Sequence, residues 1–217
     1  MKTRMKRASS MTAAALFAAA VAVMPAWAAA QKYEPAHSSC RVVVEGTSTM
    51  HDWETEGHEM RGELILTEEN VALLSARLPT PSQSLSPPAR VEIPVESLKS
   101  GKTTMDKNLQ SALRANEYPV ITYKLTSAVL QPGPGGTLAL AAQGTLTVAG
   151  KTREASLPMD LKQLPDGSLE VTGKTALKMT DFGVAPPKLM MGMLKVGDAI
   201  RVRWTCVFAP AVEEKTK

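Results

Sequence analysis

Alternation of apolar and polar residues runs through most of this chain, and it restricts the fold more than any other feature. In "AIRVRWTCVF", residues 199–208, Ile200, Val202, Trp204, Cys206 and Phe208 share one face, and Arg201, Arg203 and Thr205 share the other. "SLEVTGKTALKM" (168–179) sets Leu169, Val171, Leu177 and Met179 against Glu170, Thr172, Lys174 and Lys178. "EASLPMDL" (154–161) places Ala155, Leu157, Met159 and Leu161 together, and "CRVVVEG" and "RGELIL" follow the same rule. Side chains of a strand point to opposite faces in turn, so period two means strands with one wet and one dry face. Turn sequences separate them: "PGPGG" at 132–136, "AGKT" at 149–152 and "PDG" at 165–167. Such turns join neighbours in hairpins, so the sheet is expected to be antiparallel.

One segment breaks the alternation. "TTMDKNLQSALRANEYP" (103–119) brings Met105, Leu109, Ala112 and Leu113 onto one side at helical spacing, and Pro119 stops continuation. It predicts one short helix over about 104–115, with Thr103 and Asp106 as a capping box. "PTPSQSLSPPAR" (79–90) reads as a Pro/Ser loop.

Amphipathic antiparallel strands must hide their dry faces in a sandwich or a closed barrel. The two cysteines favour the barrel. Cys40 opens the first strand and Cys206 lies late in the last. In a closed barrel with an even strand count those strands are antiparallel neighbours, so a bridge can join them. A sandwich with a filled core stays as the alternative. Bulk supports a vacant interior: from residue 29 on, the aromatics are only Tyr33, Trp53, Tyr118, Tyr123, Phe182, Trp204 and Phe208. Walls of Val, Leu, Ile, Ala and Met leave more room than walls of Phe and Trp.

The first residues read as a leader. "MKTRMKR" is cationic, the stretch from Met11 to Met24 is apolar, and Pro25 precedes an Ala26–Trp27–Ala28 cleavage pattern. This predicts a signal peptide over 1–28 and export to the periplasm. The apolar run falls short of the roughly 20 residues that a membrane span needs, so no transmembrane segment is expected after cleavage. The net charge of +4 equals the four cations of that leader, Lys2, Arg4, Lys6 and Arg7. The remaining chain is neutral, which removes the argument for nucleic-acid binding. The expected organisation is a flexible lead-in at 29–38, one barrel domain at 39–210 and a disordered tail at 211–217.

"TSTMHDWETEGHEM" (47–60) holds the densest set of special side chains. His51 and His58 are seven apart, an odd separation that puts them on opposite faces of a regular strand. They converge on a metal only across a bulge, for which Gly57 offers a place. Ser48, His51 and Asp52 resemble triad ingredients, but one short extended segment cannot aim all three at one point. No catalytic residues, metal or cofactor are therefore expected. The remaining reading makes Met50, His51 and Trp53 part of a barrel mouth. A second methionine group, Met190, Met191 and Met193, sits in "PPKLMMGMLKVGD" and suits a portal or a plug, because Met adapts to varied apolar shapes.

Three longer stretches resemble the YceI-like family, exported lipocalin-like barrels associated with polyisoprenoid binding. They are "IPVESLKSGKTTMDKNLQSALRANEYPVITYKL" (93–125), "GTLTVAGKTREASLPM" (144–159) and "TALKMTDFGVAPP" (175–187), the last followed by a Val-Gly-Asp-x-Ile strand at 196–200. Together they span about 91–208. Residues 40–90 agree less well: they carry "STMHDWETEGHEMRGEL" and a longer Pro/Ser insertion. The resemblance implies an all-β closed antiparallel barrel whose lumen takes a long isoprenoid or similar lipid, such as a quinone or prenyl phosphate, without enzymatic turnover. With parity, it nominates Leu64, Leu157, Met159, Phe182 and Trp204 for the lumen beside Met50, His51, Trp53, Met190, Met191 and Met193. A phosphate would meet Lys99, Lys102 or Lys107. A homodimer is compatible with this reading. The alternative is a periplasmic metal-handling or stress protein that uses His51, His58 and the methionines.

Overall fold

The computed structural model describes residues 30–75, 83–189 and 193–211. The predicted leader at 1–28, Met190, Met191 and residues 212–217 lie outside that set. Among the described residues there are eleven strands and two helices: β1 (Gln31–Ser48), β2 (Trp53–Gly57), β3 (Arg61–Leu66), α1 (Glu68–Ser75), β4 (Gln83–Leu85), β5 (Ala89–Pro94), α2 (Thr103–Ala112), β6 (Val120–Pro132), β7 (Leu138–Val148), β8 (Lys151–Gln163), β9 (Leu169–Lys178), β10 (Lys188–Leu189) and β11 (Leu194–Pro210).

Every strand pairing is antiparallel. The sheet runs β11-β9-β8-β7-β6-β5-β3-β1 and closes by pairing β11 back onto β1. This is an eight-stranded closed barrel, with β2, β4 and β10 as short additions on β1, β6 and β11. β2 and β3 act as two halves of one wall strand. β1 pairs with β2 through residues 42–46 and with β3 through residues 31–33.

The three turn signals become the three hairpins of the β6–β9 wall. At the β7–β8 turn, Ala149 and Gly150 both have positive φ, 48° and 79°. A two-residue loop of that hand matches the twist of its flanking strands. The closing pair carries the cystine. Cys40 lies opposite Cys206 in the β1–β11 register, and the two are bridged across 166 residues of sequence. In the chain-entropy picture a loop of that length contributes about 5 kcal/mol.

Several expectations need correction. The lead-in at 29–38 is extended from Gln31 onward, and its residues 31–35 are paired with β3 and β11. The Pro/Ser loop contains β4 and the start of β5, and Leu85 is buried. A second helix, α1, follows β3 and packs Leu74 into the interior. Its sequence "EENVALLS" is too short to show a helical period.

The predicted helix ends at Ala112 rather than 115. Leu113 caps it, and Arg114 turns left-handed at φ 51°. Arg114 then stacks over Tyr118, 4.6 Å from the ring centre, and donates to the Ala149 carbonyl. Thr103 is the first helical residue and not a cap. Asp106 instead reaches back to accept from the amide and hydroxyl of Ser100, at 2.7 and 2.6 Å. Among the described residues no helix is long and apolar enough to cross a membrane.

Replacing both Cys40 and Cys206 by Ser should lower unfolding stability by about 2–5 kcal/mol. Urea titrations of the two proteins will check this. Dithiothreitol should destabilise the parent and leave the double variant unchanged.

Candidate functional site

The dry faces of the barrel do not meet in the middle. They form two packed ends with a cavity of about 690 Å³ between and beside them. One end gathers Tyr33, Cys40, Leu66, Leu74, Leu138, Leu169, Cys206 and Phe208. The other gathers Val95, Leu98, Leu113, Leu146, Ala149, Phe182 and Val184. β7 runs from the first end at Leu138 to the second at Leu146. Eight residues of strand cover roughly 27 Å.

The lining is apolar along most of this length. Val42, Val44, Leu64, Val91, Leu140, Ala142, Leu157, Met159, Leu161, Val171, Val202 and Trp204 all face it. Its polar members collect at one end. Ser48 and His51 come from the β1–β2 hairpin, Lys102, Thr104 and Asn108 from α2 and the residue before it, and Thr175 and Lys178 from the end of β9. The lumen is therefore a dry tube with a polar mouth. Its volume lies within the roughly 300–1,000 Å³ typical of small-molecule sites.

Three aromatic residues of the lining lie against glycines, and this keeps the bore open. A Cβ built at Gly46 would stand 2.2 Å from the Trp53 ring, and one at Gly173 would stand 2.2 Å from the Trp204 ring. Gly46 and Trp53 are register partners, as are Gly173 and Trp204. A Cβ at Gly144 would stand 2.7 Å from Tyr123. Each ring thus occupies the space its glycine leaves. Trp53 Nε1 donates to the Thr47 carbonyl at 3.2 Å, and Tyr123 Oη donates to the Ala142 carbonyl at 3.2 Å. The phenol is pushed up to about 12 by burial, so it stays neutral. The polar tips of Trp53 and Tyr123 are thus satisfied by the wall itself.

Of the residues nominated from sequence, His51, Trp53, Leu64, Leu157, Met159, Phe182 and Trp204 line the cavity. Met50 and Met193 do not: they are 66% and 72% exposed. Both stand where a hairpin turns, beyond the last paired residues, and strand parity says nothing there. Met190 and Met191 lie outside the described residues. Lys178, assigned to the wet face, lines the mouth because β9 ends there and winds into a helical turn at Met179–Phe182. Thr175 shares the parity of Val171 and Leu177 and was legible on that ground. Gly46, Gly144 and Gly173 were not, because their role depends on cross-strand register.

The 47–60 segment divides between two environments. His51 sits at the mouth. The Ser48 hydroxyl donates to the His51 carbonyl at 2.6 Å and accepts from the His51 amide at 3.2 Å, so it is spent on the turn. His58 instead pairs with Glu56. Glu56 also pairs with Arg41, whose guanidinium holds that carboxyl below the usual carboxylate range. Among the described residues no group of three or more His, Cys, Asp or Glu side chains could hold a metal ion. His51 and His58, the histidines of the metal-handling alternative, belong to no such group among the described residues.

The mouth depends on α2, and α2 is anchored by Asp106. Hydrogen bonds from the Ser100 hydroxyl and amide hold the Asp106 carboxyl below its ordinary range. A carboxyl lowered by folding adds stability that is complete above its unfolded pKa and is lost as pH falls through the folded one.

A family profile described as YceI-like domain matches residues 32–208. No curated protein matches the chain. Among solved structures, a polyisoprenoid binding domain from Saccharophagus degradans is similar at 11% identity and a TM-score of 0.62, covering 82% of this chain and 98% of its own. BcnA of Burkholderia cenocepacia is similar at 15% identity and a TM-score of 0.58, covering 77% of this chain and 95% of its own. At these identities the likeness is one of fold.

Gly173→Val should push the Trp204 indole into the bore at a cost of about 1–3 kcal/mol. Uptake of the apolar dye N-phenylnaphthylamine should drop severalfold while far-ultraviolet circular dichroism stays unchanged. Asp106→Asn should lower the melting temperature near neutral pH. The gap from the parent should close as pH falls below the ordinary aspartate pKa of about 4, which paired thermal melts across pH will show.

Proposed function

The chain belongs to the YceI-like family, and from that premise we propose that it is an exported, non-enzymatic carrier. It holds one long isoprenoid-type lipid, a quinone or a prenyl phosphate, with its chain in the barrel and its head at the mouth. The observation that carries this reading is the polarity gradient along the lumen. Ser48, His51, Lys102, Asn108 and Lys178 gather at one end, and hydrocarbon walls extend from there. A flexible hydrocarbon with one polar end matches that gradient in both halves.

The energetics agree. Every 100 Å² or so of chain taken out of water contributes about 2.5 kcal/mol before the chain's ordering is subtracted. A dry tube with few hydrogen-bonding groups suffices for that. The Saccharophagus degradans domain of the same fold is described as polyisoprenoid-binding, which supports the same ligand class. The Cys40–Cys206 cystine fits an oxidising compartment and supports export through the leader at 1–28.

The test is extraction of the protein purified from its native host, followed by mass spectrometry. Prenyl chains in about one-to-one amount are expected, with Trp53 emission shifting when the delipidated protein is reloaded. A barrel that carries no lipid, and takes up neither prenyl alcohols nor quinones, would overturn the proposal.

A further inference from the structure

Met50 and Met193 are the exposed large hydrophobic residues among those described. They belong to different hairpins, β1–β2 and β10–β11, yet form one rim. The Thr49 amide donates to the Lys195 carbonyl at 3.0 Å, and the Thr49 hydroxyl donates to the Met193 carbonyl at 3.1 Å. The Lys195 amide in turn donates to the Thr49 hydroxyl at 3.2 Å. Neighbours of the two methionines on the same hairpins, His51 and Leu194, line the lumen. The exposed thioethers thus continue the apolar lining outward past the mouth.

The rim also carries a group of exposed lysines. On the wall some cations are matched, Arg41 with Glu56, Arg90 with Glu92 and Arg203 with Glu45, while Lys124, Lys162, Lys174 and Arg201 have no ion pair among the described residues. At the rim, Lys102, Lys178, Lys188 and Lys195 are exposed and have no ion pair among the described residues. Lys188 and Lys195 stand directly opposite each other in the β10–β11 register. Like charges across a strand pair repel, and a surface of negative charge relieves that repulsion. Two nearby carboxylates, Asp106 and Asp198, accept hydrogen bonds from Ser100 and Thr180 and keep their charge, and Lys178 faces that of Asp198. Asp52 remains beside Met50.

We propose that this rim docks on an anionic bilayer, with Met50 and Met193 entering the headgroup boundary and the lysines meeting lipid phosphates. The lumen then fills and empties through the membrane surface rather than through water. This rests on the carrier reading above, since a docking rim serves a lumen that holds lipid.

The test compares the parent with Met50→Ser/Met193→Ser and Lys188→Gln/Lys195→Gln. All are expressed from the full gene and compared in the same N-terminal form, so that a leader contributes equally. Flotation uses vesicles of phosphatidylglycerol and phosphatidylcholine in equal parts, and vesicles of phosphatidylcholine alone. The parent should prefer the anionic vesicles and release with salt. The glutamine pair should bind roughly fivefold more weakly per lysine removed. The serine pair should bind severalfold more weakly and slow the transfer of a fluorescent prenyl lipid between vesicles.

Farnesol uptake from solution, followed by Trp emission, should be the same in all three proteins. Equal flotation of all three on both vesicle types overturns the docking surface, as does no flotation of a parent that still binds farnesol. The carrier reading stands in either case. Failure of farnesol uptake with flotation intact would sink the carrier reading and leave the docking rim. A concentration-dependent dimer abolished by the two serines would give the rim to a second copy and overturn the proposal.

Discussion

The pairing of β11 with β1 is the contact on which everything else in this molecule depends. It joins the two ends of the domain over a register running from Tyr33–Pro210 to Ser48–Val196, and the Cys40–Cys206 bridge secures it. Without it the sheet would be open, with two long unpaired edges and a dry face exposed to water. With it, every inward residue faces the opposite wall. Closure is costly to form because the partners are so distant in sequence. The bridge removes much of that cost from the unfolded chain.

A closed barrel of eight strands has a bore just wide enough for side chains to fill. Whether it fills depends on where the bulk goes. Here the two ends are packed by Leu, Phe and Val, while large rings between them lie along the wall. Gly46, Gly144 and Gly173 make this arrangement, each leaving the space that one ring occupies. Such glycines contribute no packing of their own, but they convert a would-be core into a cavity. Openness and wall stability are linked in the same three contacts.

The polar residues of the mouth come from the ends of wall strands and from elements added to them. The end of β1 and the β1–β2 turn, α2 and the residue before it, and the end of β9 each deliver a few side chains to one end. Ser48 is used up in its turn, His58 is engaged by Glu56, and Asp106 is spent on anchoring α2. The site reads as an apolar container with a wet rim.

The sequence by itself determined the long alternating strands, their dry faces and the β6–β9 hairpins, and it allowed a bridge between Cys40 and Cys206 that the structure contains. Alternation and turn residues are local signals, and an even strand count makes the first and last strands neighbours, where a bridge can form. The inward set Ile200, Val202, Trp204, Cys206 and Phe208 was legible because β11 keeps its parity through those positions. Three things only the tertiary structure decided. Met50, Met193 and Lys178 sit at hairpin tips and strand ends, where parity carries no information. The helix α1 is too short to show a period. The seating of Trp53, Tyr123 and Trp204 on glycines depends on which residue faces which across the strands, and register is fixed by closure of the whole sheet rather than by any one stretch of chain.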